Sequence, residues 1–194
     1  MNTLLKTCVL GLVFASTASM AQVAQFTGWE AGAALAISDT KIRVNSDSTS
    51  GNSTDLALHA GYGLEKSKDM VYLFGIDYNL NSITAGDTTN NSGVKHTRNL
   101  KNPFGMSFGL GYLVNDNTLA FGKLSYEVAT YAFDTYSQTV SGVGLGGGAR
   151  YMLNKTTYLQ AELKYTAYTQ MDGGTIVNAE LKNTQLNIGV GFNF

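Results

Sequence analysis

Residues 104–112 read FGMSFGLGY. Phe104, Met106, Phe108, Leu110 and Tyr112 alternate with Gly105, Ser107, Gly109 and Gly111. Successive residues of a strand point to opposite faces, so this stretch has one greasy face and one nearly bare face. The pattern recurs along the chain. Trp29, Leu35 and Ile37 oppose Gly28, Glu30 and Gly32; Leu56, Leu58 and Tyr62 oppose His59, Gly61 and Gly63; Tyr72, Phe74, Ile76 and Tyr78 oppose Gly75 and Asp77. Further on, Leu124, Tyr126 and Val128 oppose Lys123, Ser125 and Glu127. Val143, Leu145 and Tyr151 oppose Gly142, Gly144, Gly146, Gly148 and Arg150. Leu159, Leu163 and Tyr165 oppose Gln160, Glu162 and Lys164, and Leu186, Ile188, Val190, Phe192 and Phe194 oppose Gln185, Asn187, Gly189 and Gly191. This is the signature of an all-β chain with eight antiparallel strands. Each has about nine to eleven residues, the length a tilted strand needs to cross a bilayer.

The connections alternate in length. Polar segments at 38–55, 81–102, 130–141 and 168–183 are long, whereas EKSKD, VNDN and LNKT are short. Long and short in strict turn make an up-and-down barrel with both termini at the short-turn end.

Alternation alone does not say which face is inside. Eight strands enclose a space only just wide enough for side chains. Rows of Trp, Phe, Tyr, Leu and Ile would overfill it, while Gly, Ala, Ser and a few charges fit. Lipocalins, the soluble alternative with bulk inside, carry a G-x-W motif, and here Gly28 and Trp29 are adjacent. The greasy face therefore points outward. Water tolerates only about a few hundred Å² of such surface in one patch, so lipid has to cover it. Aromatics fall at both rims: Trp29, Tyr62, Tyr72, Tyr112 and Tyr151 at one, Tyr78, Phe104, Tyr126 and Tyr165 at the other, as interfacial belts require.

The first residues read as an export signal: Lys6, then the apolar VLGLVFA, then Ser19-Met20-Ala21. Cleavage is expected after Ala21, giving residues 1–21 as signal peptide and 22–194 as the barrel domain. Cys8 falls in the signal, so the expected mature chain has no cysteine and no disulfide. The formal net charge of -1 gives no reason to expect nucleic acid.

The closing NIGVGFNF is similar to the C-terminal sorting signal of bacterial outer-membrane barrels, with Asn187, Gly189, Phe192 and Phe194 in the matching places. With the export signal and eight strands, the chain resembles the small outer-membrane barrel family, which includes the membrane domain of outer membrane protein A, outer membrane protein X and opacity-type porin-like proteins. The resemblance implies a bacterial outer-membrane location, both termini in the periplasm and four long external loops. It also implies insertion by the barrel-assembly machinery, contact with outer-membrane lipid and lipopolysaccharide, and a monomer without cofactor or metal.

Inward positions collect Glu30, His59, Asp77, Lys123, Glu127, Arg150, Glu162 and Lys164. Isolated buried charges are costly, so these are expected to pair. They would form either a stiffening salt-bridge network or a lining for small ions, with water sharing the space beside the glycines. Catalysis has little footing, because His59 is placed among Gly and Ala and His96 has no acid near it in sequence. Lys95, Arg98 and Lys101 in the second long segment form a candidate anion-contacting cluster for lipopolysaccharide phosphates or acidic host polysaccharides. The expected function is non-enzymatic: a structural or surface-interacting, adhesion-like barrel. The alternative is a narrow channel for ions or small solutes.

Overall fold

The computed structural model describes residues 23–44, 47–89, 95–134, 136–168 and 179–194. The expected signal peptide lies outside the described residues. A 3-10 turn, Val23–Phe26, precedes nine strands: β1 Gly28–Val44, β2 Asp47–Ser67, β3 Met70–Asn79, β4 Ile83–Thr89, β5 Lys95–Asn115, β6 Thr118–Phe133, β7 Tyr136–Met152, β8 Thr157–Tyr168 and β9 Ala179–Asn193. All pairings are antiparallel. The order β3-β2-β1-β9-β8-β7-β6-β5-β4 closes on itself where β3 pairs with β5, from Met70 opposite Tyr112 to Tyr78 opposite Phe104.

The barrel wall thus has eight strands, as the alternation predicts. The ninth arises because the third strand breaks at Leu80–Ser82. Beyond the break, β4 pairs with β5 and no longer forms a ladder with β2, although it stays packed against β2, where Gly51 lies against Thr84 and Gly86. Asp55 on β2 holds the break in place: its Oδ1 accepts from Asn81 N at 3.0 Å and Asn81 Nδ2 at 2.8 Å.

The bulky face is outward. Phe108, Leu145 and Ile188 are 45%, 64% and 53% exposed, and Trp29, Tyr112, Tyr151, Tyr126 and Tyr165 also stand clear of the wall. Trp29 and Tyr62 meet edge to face at 5.1 Å, and Phe108 touches both Tyr72 and Phe74. A closed ring satisfies its backbone groups strand to strand, so such a surface can sit in hydrocarbon without an open edge. Phe192 and Phe194 belong to this outer surface. The Phe194 amide donates to the Trp29 carbonyl at 2.9 Å, tying the last residue to the first strand.

The first three polar segments prove to be more strand than loop. β1 and β2 stay paired from Gly28–Gly63 up to Val44–Asp47, and β6 and β7 up to Phe133–Tyr136. The second segment supplies the β4–β5 hairpin, while part of the fourth, 169–178, lies outside the described residues. Polar composition pointed to loops there; period two persists because the inward side chains of these extensions are covered. Ile42, Ile83, Ala85, Leu100, Ala129, Tyr131, Val140, Tyr168 and Leu181 pack as an apolar cluster inside the long-hairpin end. A bulge on β5 makes this packing work. Asn102 takes a left-handed conformation (φ 49°), and the register shifts between Lys101 and Phe104, with Pro103 between. Lys101 and Phe104 therefore both look outward, while Leu100 and Arg98 turn in.

The opposite end is stoppered as well. Gly28 (φ 94°) swings the chain from the wall into the opening, where Val23 and Phe26 are buried with Val71, Leu73, Leu113, Leu119, Phe121, Met152 and Tyr158. Gly63 is small for a reason, since a Cβ there would strike the Phe26 carbonyl. Full burial of one such phenylalanine is worth about 1.5–3 kcal/mol. The Gln25 side chain donates to the Asp116 carbonyl, and Asn193 Nδ2 donates to the Gln25 carbonyl, anchoring the stopper to a short turn and to β9.

Candidate functional site

Between the two apolar ends lies a polar lumen, and all eight inward residues named from the sequence meet there. The Arg150 guanidinium grips both Glu30 oxygens, with Nη2 at 2.7 Å from Oε1, and its Nε donates to Gln160 Oε1 at 2.7 Å. Phe121 and Tyr158 sandwich it, their ring centres 5.4 and 4.9 Å from Cζ. Lys123 Nζ sits 3.3 Å from Asp77 and 3.0 Å from Glu162. Lys164 Nζ donates to Glu127 at 2.8 Å, and Ser125 Oγ donates to the same carboxylate at 2.9 Å. His59 Nε2 and the Tyr158 hydroxyl share a 2.9 Å hydrogen bond, and His59 faces Asp77 across the β2–β3 register. Two-toothed, ring-stacked arginine contacts of this kind are among the strongest polar contacts available to a protein.

The glycines turn out to be footings rather than water space. A Cβ on Gly105 would meet the Glu127 carboxylate at 2.8 Å, one on Gly146 would meet Glu162 Oε1 at 2.8 Å, and one on Gly144 would strike Ser125 Oγ. Side-chain ends from the neighbouring strands lie directly on the bare face. What space remains at the centre is a cavity of ≈ 20 Å³ walled by Glu30, His59, Asp77, Ser107, Lys123 and Arg150, room for about one water.

Several lumenal residues escaped the sequence reading. Tyr158 shares the parity of Gln160 and Glu162, both placed inward from the sequence, and was findable from them. Asp55, Ser38 and Thr40 sit in the segment taken as a loop, yet all three are buried, and Thr40 bonds Asn183 at 3.0 Å.

The cluster expected at Lys95, Arg98 and Lys101 does not assemble on one surface. Arg98 turns into the mouth, where Nη1 donates to Thr49 Oγ1 at 3.1 Å and the guanidinium covers Phe133. Lys101 is exposed on the outer face, and the Lys95 side chain lies outside the described residues. His96, which lacked an acid in sequence, pairs with Asp134 at 2.8 Å. At the long-hairpin end, exposed cations instead sit together on β1 and β9, where Lys41 faces Lys182 and Arg43 faces Glu180. The Lys182 hydrogen bond holds the Glu180 carboxyl below its ordinary value. Among the described residues, no group of three or more His, Cys, Asp or Glu could hold a metal ion.

Solved structures share this architecture at low identity. Neisserial surface protein A matches with a TM-score of 0.58 at 16% identity, covering 87% of this chain and 98% of that one. OprG from Pseudomonas aeruginosa matches with a TM-score of 0.55 at 12% identity, over 87% and 97%. Ail, the attachment invasion locus protein of Yersinia pestis, matches with a TM-score of 0.53 at 12% identity, over 86% and 99%. No curated protein sequence matches the chain. Residues 7–194 match the family described as the outer membrane protein beta-barrel domain, and the chain, an eight-stranded barrel greasy without and charged within, belongs to that family of the bacterial outer membrane.

Proposed function

We propose that the protein is a closed, non-catalytic barrel whose work is done on its outer surfaces: it reinforces the membrane and displays a rigid external platform. The observation that carries this reading is the lumen. Apolar clusters fill both ends, and ion pairs fill the middle around ≈ 20 Å³ of space. A hydrated ion needs a continuous wet path, and here it would have to break a buried pair and displace packed side chains.

In this reading the protein is a monomer, the termini face the periplasm and the long hairpins stand outside. Phe192 and Phe194 present the sorting signal to the assembly machinery. Lys41, Arg43 and Lys182, with Lys101 on the far wall, are the cations offered to anionic partners: lipopolysaccharide phosphates or acidic polysaccharides. A structure of Ail in complex with the heparin analogue sucrose octasulfate shows that one barrel of this fold takes a polyanion. Refolded protein in a planar bilayer tests the proposal. Silence is expected, and steady, reproducible openings would replace it with the narrow-channel reading.

A further inference from the structure

Besides Arg98 Nε at the mouth, six buried polar side-chain atoms in the upper lumen have no partner among the described residues: Ser38 Oγ, Ser53 Oγ, Asp55 Oδ2, Asn79 Nδ2, Gln185 Nε2 and Asn187 Oδ1. Native folds leave only a few such atoms per hundred residues, and each calls for an explanation such as an ion or water. These six occupy one stretch of wall. Ser38 is opposite Ser53 on β2 and Gln185 on β9; Ala36, the next inward residue, is opposite Asp55 and Asn187. Asn79 completes the patch from β3, opposite Ala57. Neighbouring strands lie about 4.8 Å apart, and Ala36 between the two oxygen-bearing residues contributes no bulk of its own.

Charge singles out Asp55. Arg150 answers Glu30, Lys164 answers Glu127, and Lys123 lies between Asp77 and Glu162. Among the described residues no cation is paired with Asp55, which is 3% exposed. A buried carboxylate without a counter-charge is strongly unfavourable. Its role at the strand break does not require a charge. Leu56 N, Asn81 N and Asn81 Nδ2 all donate to Oδ1, and an asparagine carbonyl could accept them as well. The second oxygen is left over, and it is the charge that needs an explanation.

We propose that this patch binds a monovalent metal cation of the sodium–potassium class. Its ligands are Asp55 Oδ2, the hydroxyl oxygens of Ser38 and Ser53, and the Asn187 amide oxygen. These are hard neutral or anionic oxygens, the donor type that hard cations select. One carboxylate matches one positive charge, whereas calcium sites draw on several carboxylates and six to eight oxygens. The Asn79 and Gln185 amides remain as donors to any water completing the shell. The site depends on the fold and stands whether or not the external surface binds a partner.

The test uses the full mature chain refolded in detergent micelles, with unfolding rates read by heat-modifiable gel mobility in sodium, potassium and choline chloride at equal ionic strength. Wild type is expected to unfold about threefold or more slowly in sodium or potassium than in choline, the response of a native state that binds the ion. Asp55→Asn keeps the turn acceptor and should lose the difference. Ser38→Ala and Ser53→Ala keep the carboxylate and should weaken it, and they decide the matter if Asp55→Asn does not fold. Equal rates in all three salts would overturn the proposal. So would an ion response that survives in Asp55→Asn, or a wild type that is stabilised by acid regardless of salt, since the occupant would then be a proton.

Discussion

The lower and upper halves of the polar lumen treat buried charge differently, although Glu162 Oε1 in the lower half also lacks a hydrogen bond. In the lower half every charge has a partner, and the partners come from distant parts of the chain: Arg150 and Glu30 are 120 residues apart. Such pairs join strands that are not neighbours in the wall, β7 with β1, β6 with β8 and β3 with β6, so they tie the barrel together across its lumen. In the upper half the wall carries hydroxyls, amides and a lone carboxylate, with six atoms unpaired. The difference teaches that a filled lumen is not uniformly rigid: one half is a lock, the other a lining that accepts an occupant.

The comparison breaks most sharply at Arg150. Arg150→Ala leaves Glu30 buried and uncompensated and should lower stability by about 3–5 kcal/mol, measured by urea unfolding in lipid vesicles. Pairing Arg150→Met with Glu30→Leu should recover most of that loss; a double variant no better than the single one would show that the lower half is not held by this pair. Next come the glycine footings. Gly144→Ala pushes against Ser125 Oγ and Thr166 Oγ1 and should cost about 1–3 kcal/mol. Gly122→Ala, which would meet only the Gly146 carbonyl oxygen at 4.0 Å, should change the same midpoint little. In the upper half, Asn183→Ala removes the bond from Thr40 and should cost about 1 kcal/mol, a smaller loss than any charge deletion below it. Smallest is Lys182→Ala on the outer face, expected within about 0.5 kcal/mol of wild type. Its effect should appear instead as weaker, salt-sensitive retention on a sulfated-polysaccharide column; unchanged retention would remove β1 and β9 from the display surface.

Most of the membrane-embedded wall was legible because burial there imposes a period of two. Phe108 and Gly109 declare their faces to anyone who counts. The eight lumenal charges followed from the same parity. Less legible was everything above the bilayer. Segment 38–55 reads as a loop because Ser, Thr, Asn and Asp dominate it, yet Ile42, Thr40 and Ser38 continue the inward face of β1. Parity was present there, but its contrast was low, since small polar residues occupy both sides. Arg98 was misplaced for another reason: its orientation is set by an irregularity four to five residues away, and no periodicity announces a bulge. The stopper was hidden because Val23 and Phe26 precede the first alternating segment, and only Gly28 hints that the chain turns.

That irregularity gives the β5 strand something like a reading frame. Below Asn102 the even-numbered residues Phe104 to Tyr112 face lipid; above it, the even-numbered Arg98 and Leu100 face the axis. Substituting Asn102 alters only the joint. Deleting it would take out the extra residue and leave Leu100 and Arg98 facing the axis and Lys101 facing out; flattening the bulge with all residues kept would instead shift the phase of the upper third by one, sending Leu100 and Arg98 to the outer surface and Lys101 and Asn99 into the apolar cluster. For this strand, the number of residues between two landmarks carries information that their identities do not.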